Sequence, residues 1–193
     1  MGFTREELLA YAGAEVPDLL PSPCRLLFVG INPGLWTAAT GAHFARPGNR
    51  FYPALAIAGI VGHVIDASDG MRMEDRETLL HSGIGITNLV RRATAKASEL
   101  TPEELREGGE RLRATVRSTC PRVVAVAGIT AYRSAFRQPK AVTGRQPRDL
   151  EGAQLWVVPN PSGLNAHDTV DSLARAYRAA ADAAGLTDPG ARP

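Results

Sequence analysis

Four short apolar runs, at residues 25–31, 85–90, 122–128 and 154–160, divide this chain into segments each long enough to hold a helix. Apolar runs of that length, bounded by Gly, Pro and Asn, read as buried strands. Strands that alternate with helix-length segments form a sheet that is largely parallel and layered by helices. The expected architecture is therefore a three-layer α/β/α sandwich around a central, mostly parallel four-stranded sheet. A chain of 193 residues suits one such domain, which buries about 70% of its unfolded surface and holds a rigid site without disulfides.

The clearest helix start is Thr101-Pro102-Glu103-Glu104, with Thr as N-cap, Pro in the first turn and Glu104 completing a capping box. The helix should run to about Thr119. Further helices are expected at 49–60, 74–81, 130–136 and 168–184, where Val170, Leu173, Ala174 and Tyr177 keep helical spacing. A short helical pattern at 4–12 precedes Pro17, Pro21 and Pro23, so residues 1–24 read as a helical appendage and linker laid against a domain at 25–186. Residues 187–193 read as a disordered tail.

No apolar run approaches the ~20 residues that span a bilayer, and the amino terminus lacks a signal peptide's basic and apolar segments, so a soluble, cytoplasmic chain is expected. Cys24 and Cys120 lie far apart with no CxxC pair. That spacing supports neither zinc nor an iron-sulfur cluster, and both are expected as buried thiols. Net charge is only +2, yet Arg133, Arg137, Lys140, Arg145 and Arg148 occupy a stretch without Asp or Glu that suits the tracking of phosphates. Arg supplies 20 of the 22 basic residues, so nucleotide composition of the genome is an equally open explanation of that stretch.

Two strands break into stiff loops with polar tips. The first apolar run ends in Gly30-Ile31-Asn32-Pro33-Gly34, which presents Asn32 at the carboxyl edge of the sheet, where open α/β folds collect ligands. Far downstream, Leu155-Trp156-Val157-Val158 runs into Pro159-Asn160-Pro161-Ser162-Gly163-Leu164-Asn165. The two loops are placed to form opposite walls of one cleft. Asn is no strong base, but its amide can hold a water in one orientation. Glycosidic cleavage of a nucleoside needs a positioned water and a stabilised leaving base more than a powerful nucleophile. An Asx turn that merely holds the strand end is the other reading of Asn32.

Leu164 on its glycine-containing loop has the layout of a wedge that enters a base stack when a nucleotide is flipped out, or of a loop residue tucked into the core. Phe44, among small residues, can stack on a flipped base or serve the core. His43 has no metal-spaced partner and reads as a surface residue or phosphate contact. Ser162 and His167 lie outside any GxSxG elbow, which argues against nucleophilic catalysis.

Taken together, Gly30-Ile31-Asn32-Pro33-Gly34, Asn160-Pro161-Ser162-Gly163-Leu164 and the intervening Phe44 with Asn49-Arg50-Phe51 resemble the mismatch-specific uracil/thymine-DNA glycosylases of the uracil-DNA glycosylase superfamily, over roughly residues 26–180. The resemblance implies an α/β/α fold and a monofunctional glycosylase that removes uracil, and sometimes thymine or damaged pyrimidines, from mispairs with guanine. By the same carry-over Asn32 positions the water, Phe44 is the stacking platform, and Gly163 and Leu164 read guanine and fill the vacated stack, with Ser162 and Asn165 beside them. Ile31, Pro33, Gly34, Thr37 and Asn88 line the base pocket. Two departures stand out. Asn165-Ala166-His167 follows the wedge where some relatives carry arginine, and Asn88 stands where some have lysine. The Asn88 amide either reads uracil directly or caps its strand.

The expected activity is hydrolytic removal of uracil from double-stranded DNA, preferentially opposite guanine, by a monomer that needs no metal or organic cofactor. Arg91, Arg92, Arg137, Lys140 and Arg145 hold phosphates in this reading. With no lysine in either motif, a Schiff base is not expected. The rivals are an N-glycosidic hydrolase of nucleosides or nucleotides and a non-catalytic binder of damaged DNA.

Overall fold

The computed structural model describes residues 2–186, and the expected tail at 187–193 lies outside them. In chain order the elements are α1 (Arg5–Leu9), β1 (Leu26–Gly30), α2 (Leu35–Thr40), α3 (Phe51–Ile57), α4 (Met73–His81), β2 (Ile84–Asn88), α5 (Pro102–Thr119), β3 (Val123–Ala127), α6 (Ile129–Ala135), β4 (Gly144–Arg145), β5 (Gln154–Val158) and α7 (Val170–Ala183). They form one sheet with strand order β2-β1-β3-β5-β4. The four expected strands are all present and parallel; the sheet has a fifth, the two-residue β4, which pairs antiparallel with β5. Two residues of Gly-Arg carry no apolar pattern, so nothing in the sequence marks this edge strand.

Alternate residues of each strand feed opposite faces of the sheet. Leu26 and Phe28 of β1 and Val123 and Ala125 of β3 pack with α3 and α7 through Phe51, Leu55, Leu173 and Tyr177. Leu27, Val29, Val124 and Val126 pack on the other face with α5 and α6 through Leu112, Val116, Tyr132 and Ala135. Burial on both faces explains why the strands read as continuous apolar runs.

The capping box at Thr101 forms as expected, with Glu104 N–H donating to Thr101 Oγ1 and Thr101 N–H donating to Glu104, and α5 ends at Thr119. α7 buries the Leu173, Ala174 and Tyr177 stripe. α3 is shorter than expected because Gly59, at φ +67°, turns the chain out of the helix. α2, absent from the sequence expectations, has six residues and Gly34 as N-cap, with no capping side chain to announce it. Ahead of β1, Leu19 forms an antiparallel bridge with Ile86 and is buried with Val16, so the linker covers the open edge of β2. Cys24 is buried, and its thiol is pushed up to about 11 by that burial; Cys120 is exposed, contrary to expectation, because it caps the carboxyl end of α5 in the left-handed region. No described helix is long and apolar enough to cross a membrane.

Candidate active site

β1 leads away to β2 on one side and β3 leads away to β5 on the other, so the connections diverge between β1 and β3. In open α/β sheets the crevice beyond the carboxyl ends at such a switch point is where ligands bind. The loops after β1 and β5 meet there. A side-chain atom built on Gly128, just after β3, would lie 3.3 Å from Ile31 and 3.9 Å from Asn160. Ile31 of the first motif loop and Asn160 of the second therefore lie close together beyond the end of β3.

The loop carrying Asn32 is zipped to the segment after β2. Leu89 N–H donates to Gly30 O and Val90 N–H to Ile31 O, both at 2.9 Å, and Thr94 N–H donates to Pro33 O at 3.1 Å. α5 presses on the same segment: a Cβ on Gly108 would fall 2.3 Å from Leu89 O, so only glycine lets the helix approach this closely. Glycine within a helix costs about 0.5–1 kcal/mol, and here the cost secures the position of residues 89–94 beside Asn32.

Asn32 is half-buried, and its amide orientation is determined. Nδ2 donates to Thr94 Oγ1 at 2.7 Å and lies 3.1 Å from both Pro33 O and Arg92 O. All three partners are acceptors, because Thr94 spends its own proton on Lys96 O. Oδ1 is thereby left without a partner among the described residues, as an acceptor for a water. Pro33 is buried and Gly34 exposed, giving the loop one fixed and one open side.

Phe44 sits at φ +56°, a conformation disfavoured for a bulky residue and found chiefly where surrounding structure enforces it. One face of its ring stacks on Phe51 with centroids 4.0 Å apart and planes 23° apart, while the residue stays half-buried. Phe51 is fully buried against Phe28 and Tyr177, so the platform is backed by core. Asn88, paired with Gly30 in register, brings its Oδ1 within 2.4 Å of where a Gly30 Cβ would stand, with Phe44 Cζ 3.4 Å from the same point. Gly30 thus makes room for an amide and a ring edge to converge at the end of β1. Thr37 is buried on α2.

His43 is not at the surface. It is 6% exposed, its Nε2 lies 3.0 Å from Pro17 O, and burial, the largest influence, lowers its pKa.

The second loop is held from outside by Arg50. Its guanidinium donates to the carbonyls of Ser162 and Asn165, each at 2.7 Å, and to that of Asp168, while its backbone N–H donates to Pro161 O at 3.0 Å. Within the loop, Asn160 Oδ1 accepts from Ser162 N–H and Ser162 Oγ from Leu164 N–H. The Asn165 amide donates to Asn160 O and Asp168 Oδ2 and accepts from His167 N–H. Expected as a reader of the partner base, Asn165 spends its side chain on the loop itself. A Cβ on Gly163 would meet Gly48 O at 2.8 Å, so this glycine is required by the neighbouring loop. Leu164 is 73% exposed. Met73 is equally exposed, and a lone exposed apolar residue means little. What distinguishes Leu164 is its presentation on a clamped loop.

The five cations expected to hold phosphates differ in availability. Arg92 is removed from that group, because its guanidinium is taken up by both Glu104 oxygens and by Glu99 O. Arg145 pairs with Asp149 at 2.8 Å, and Arg91 lies 3.7 Å from Asp18. Arg137 and Lys140 are exposed and make no ion pair among the described residues, as is true of Arg46 beside Gly48. Sequence reasoning missed Thr94, which carries no motif of its own, and the clamp role of Arg50, although Arg50 stands inside a quoted motif. No group of three or more His, Cys, Asp or Glu that could hold a metal occurs among the described residues.

Among solved structures, the chain is similar to a Methanosarcina acetivorans protein, determined by solution NMR and provisionally described as a uracil DNA glycosylase. The TM-score is 0.57 at 19% identity, covering 86% of this chain and 95% of the other, a likeness of fold. The family model of the uracil DNA glycosylase superfamily matches residues 17–182, from the strap over β2 to the last turn of α7, and the chain belongs to that superfamily.

Proposed function

We propose that this protein is a monofunctional DNA glycosylase that hydrolyses the N-glycosidic bond of uracil in double-stranded DNA, preferentially opposite guanine, as a single chain acting inside the cell. The observation that carries this reading is the Asn32 amide, whose nitrogen faces three acceptors with its two protons and whose oxygen is left to hold a water at the switch-point cleft. An amide cannot deprotonate water outright, so the chemistry it serves has a transition state that is already largely dissociated, with positive charge on the sugar and negative charge on the departing base.

In this mechanism the nucleotide leaves the duplex, Leu164 occupies the vacated stack, the base lies on the free face of Phe44, and Asn32 Oδ1 orients water toward C1′. Arg137, Lys140 and Arg46 hold phosphates. Loss of the weaker G·U pair costs less than opening a matched pair, which favours mismatched substrates. The chain's lysines, Lys96 and Lys140, both lie outside the two motif loops, so the product is free base and an intact abasic strand.

Incubation with a duplex bearing one G·U pair tests this: uracil should be released, with nicking only after alkali or heat. Covalent trapping by borohydride would instead reveal an amine nucleophile, and activity confined to free nucleosides would favour a small-molecule hydrolase.

A further inference from the structure

His43 is buried next to the Phe44 platform, and its side chain has polar contacts to Pro17 O and to the Asn88 amide, whose orientation determines what the pocket presents to a base. Its Nε2 lies 3.0 Å from Pro17 O, and a carbonyl only accepts, so Nε2 carries the proton. Its Nδ1 lies 3.3 Å from Asn88 Nδ2. Burial, the largest influence, disfavours a charged ring and outweighs the opposing Pro17 carbonyl and Asp18, with Arg76 acting in the same sense as burial, so Nδ1 offers a lone pair. An Asn88 turned the other way would set its carbonyl oxygen against that lone pair. The amide nitrogen is therefore held toward His43, and Oδ1 is directed over Gly30, next to Phe44 Cζ, where it accepts no hydrogen bond among the described residues.

We propose that His43 is a positioning residue that fixes the Asn88 amide with its oxygen toward the base, so that the pocket accepts a ring N3–H, as uracil and thymine present, and opposes the N3 lone pair of cytosine. This rests on the glycosylase reading and adds to it the source of the selectivity. Asn88 alone could serve either base by rotating its amide; the relay from Pro17 O through the imidazole to Asn88 removes that freedom. A pocket built to bond one edge discriminates strongly because the wrong edge leaves buried polar groups unpaired.

The test compares wild type, His43→Leu, Asn88→Ala and the double variant in single-turnover release of uracil and of 5-hydroxycytosine, which carries cytosine's hydrogen-bonding edge, from duplexes with guanine opposite. His43→Leu should lower uracil release about 10-fold and narrow the preference for uracil over 5-hydroxycytosine by a similar factor. In the Asn88→Ala background the same change should have little further effect. Equal losses in both backgrounds would overturn the proposal and reduce His43 to a packing residue. Because His43→Leu leaves Pro17 O unpaired and could compromise folding, the wild-type ring is read independently by 15N NMR at neutral pH. A proton on Nε2 with Nδ1 bare is expected, and a proton on Nδ1 would overturn the relay. Wild-type protein that releases no uracil would overturn the glycosylase reading, while the ring tautomer still decides whether His43 holds Asn88 as described.

Discussion

The Asn32 amide nitrogen lies 2.7 Å from the Thr94 hydroxyl, which donates its own proton to Lys96 O at 2.9 Å. The hydroxyl must therefore accept from Asn32, and the amide cannot turn over without breaking this bond. Replacing Asn32 by Ala should leave duplex binding within a few-fold and lower single-turnover uracil release by ~10² or more. Thr94→Val, which keeps the shape and removes the acceptor, should cost about 10-fold in release at unchanged binding, since the shortest contact that orients the amide is lost. Unchanged release in Asn32→Ala would remove this residue from the chemistry.

Arg50 joins the Phe44 segment to the Leu164 loop by side-chain bonds to three carbonyls. Hydrogen bonds to charged groups are each worth about 1.5–3 kcal/mol, and the orphaned carbonyls here are partly buried. Arg50→Met should lower stability by about 2 kcal/mol or more in denaturant unfolding. Among molecules that remain folded, it should also impair release from duplex more than release from single strands. A loss of stability with equal effects on both substrates would make the clamp purely structural.

Much of this site was legible because strands, Gly/Pro turns and capping boxes are local signals: the four long strands, α5, α7, Asn32 and the Leu164 loop all follow from contiguous residues. What stayed hidden depends on juxtaposition. Thr94 reaches Asn32 only because β2 lies beside β1, and Arg92 is neutralised by Glu104 only because α5 folds back over the loop after β2. His43 looked like a surface residue because the strap at Pro17 that buries it lies far away in sequence. β4 and α2 were too short to show a period.

Leu164→Ala should slow release opposite guanine several-fold more than release from single-stranded DNA, because only the duplex has a vacated stack to fill. The loop's internal bonds use the Leu164 backbone, so its fold should survive the change. An equal loss on both substrates would show that Leu164 does not act as a wedge.

Binding to duplex should weaken steeply with salt, and Arg137→Ala and Lys140→Ala should each reduce the slope of log K against log salt by about 1 while leaving base preference unchanged. Arg92→Ala should leave that slope nearly unaltered, since Glu104 already neutralises it. A reduced slope for Arg92→Ala, with none for the other two, would place the phosphate path on the opposite side of the cleft.

The Arg92–Glu104 pair gives a pH test of the loop that supports Asn32. The Glu104 carboxyl is lowered to about 2, first by the Arg92 guanidinium and then by the backbone N–H of Thr101. A carboxyl whose folded pKa is depressed contributes its stabilisation fully above the ordinary carboxylate range, and that contribution is lost as pH falls from there toward 2. The pair is solvent-screened, so its effect on global stability is small, and the local titration is the proper readout. NMR of the Glu104 side chain should show a midpoint near 2 in the wild type. In Arg92→Leu the midpoint should rise toward the ordinary carboxylate value, stopping short of it because the capping bond to Thr101 persists. Uracil release at neutral pH should fall in the same variant, because the pair with Glu104 anchors the backbone of residue 92, whose carbonyl faces the Asn32 amide nitrogen. A wild-type midpoint in the ordinary range would mean that the pair is open in solution and that residues 89–94 are held by α5 and the backbone alone.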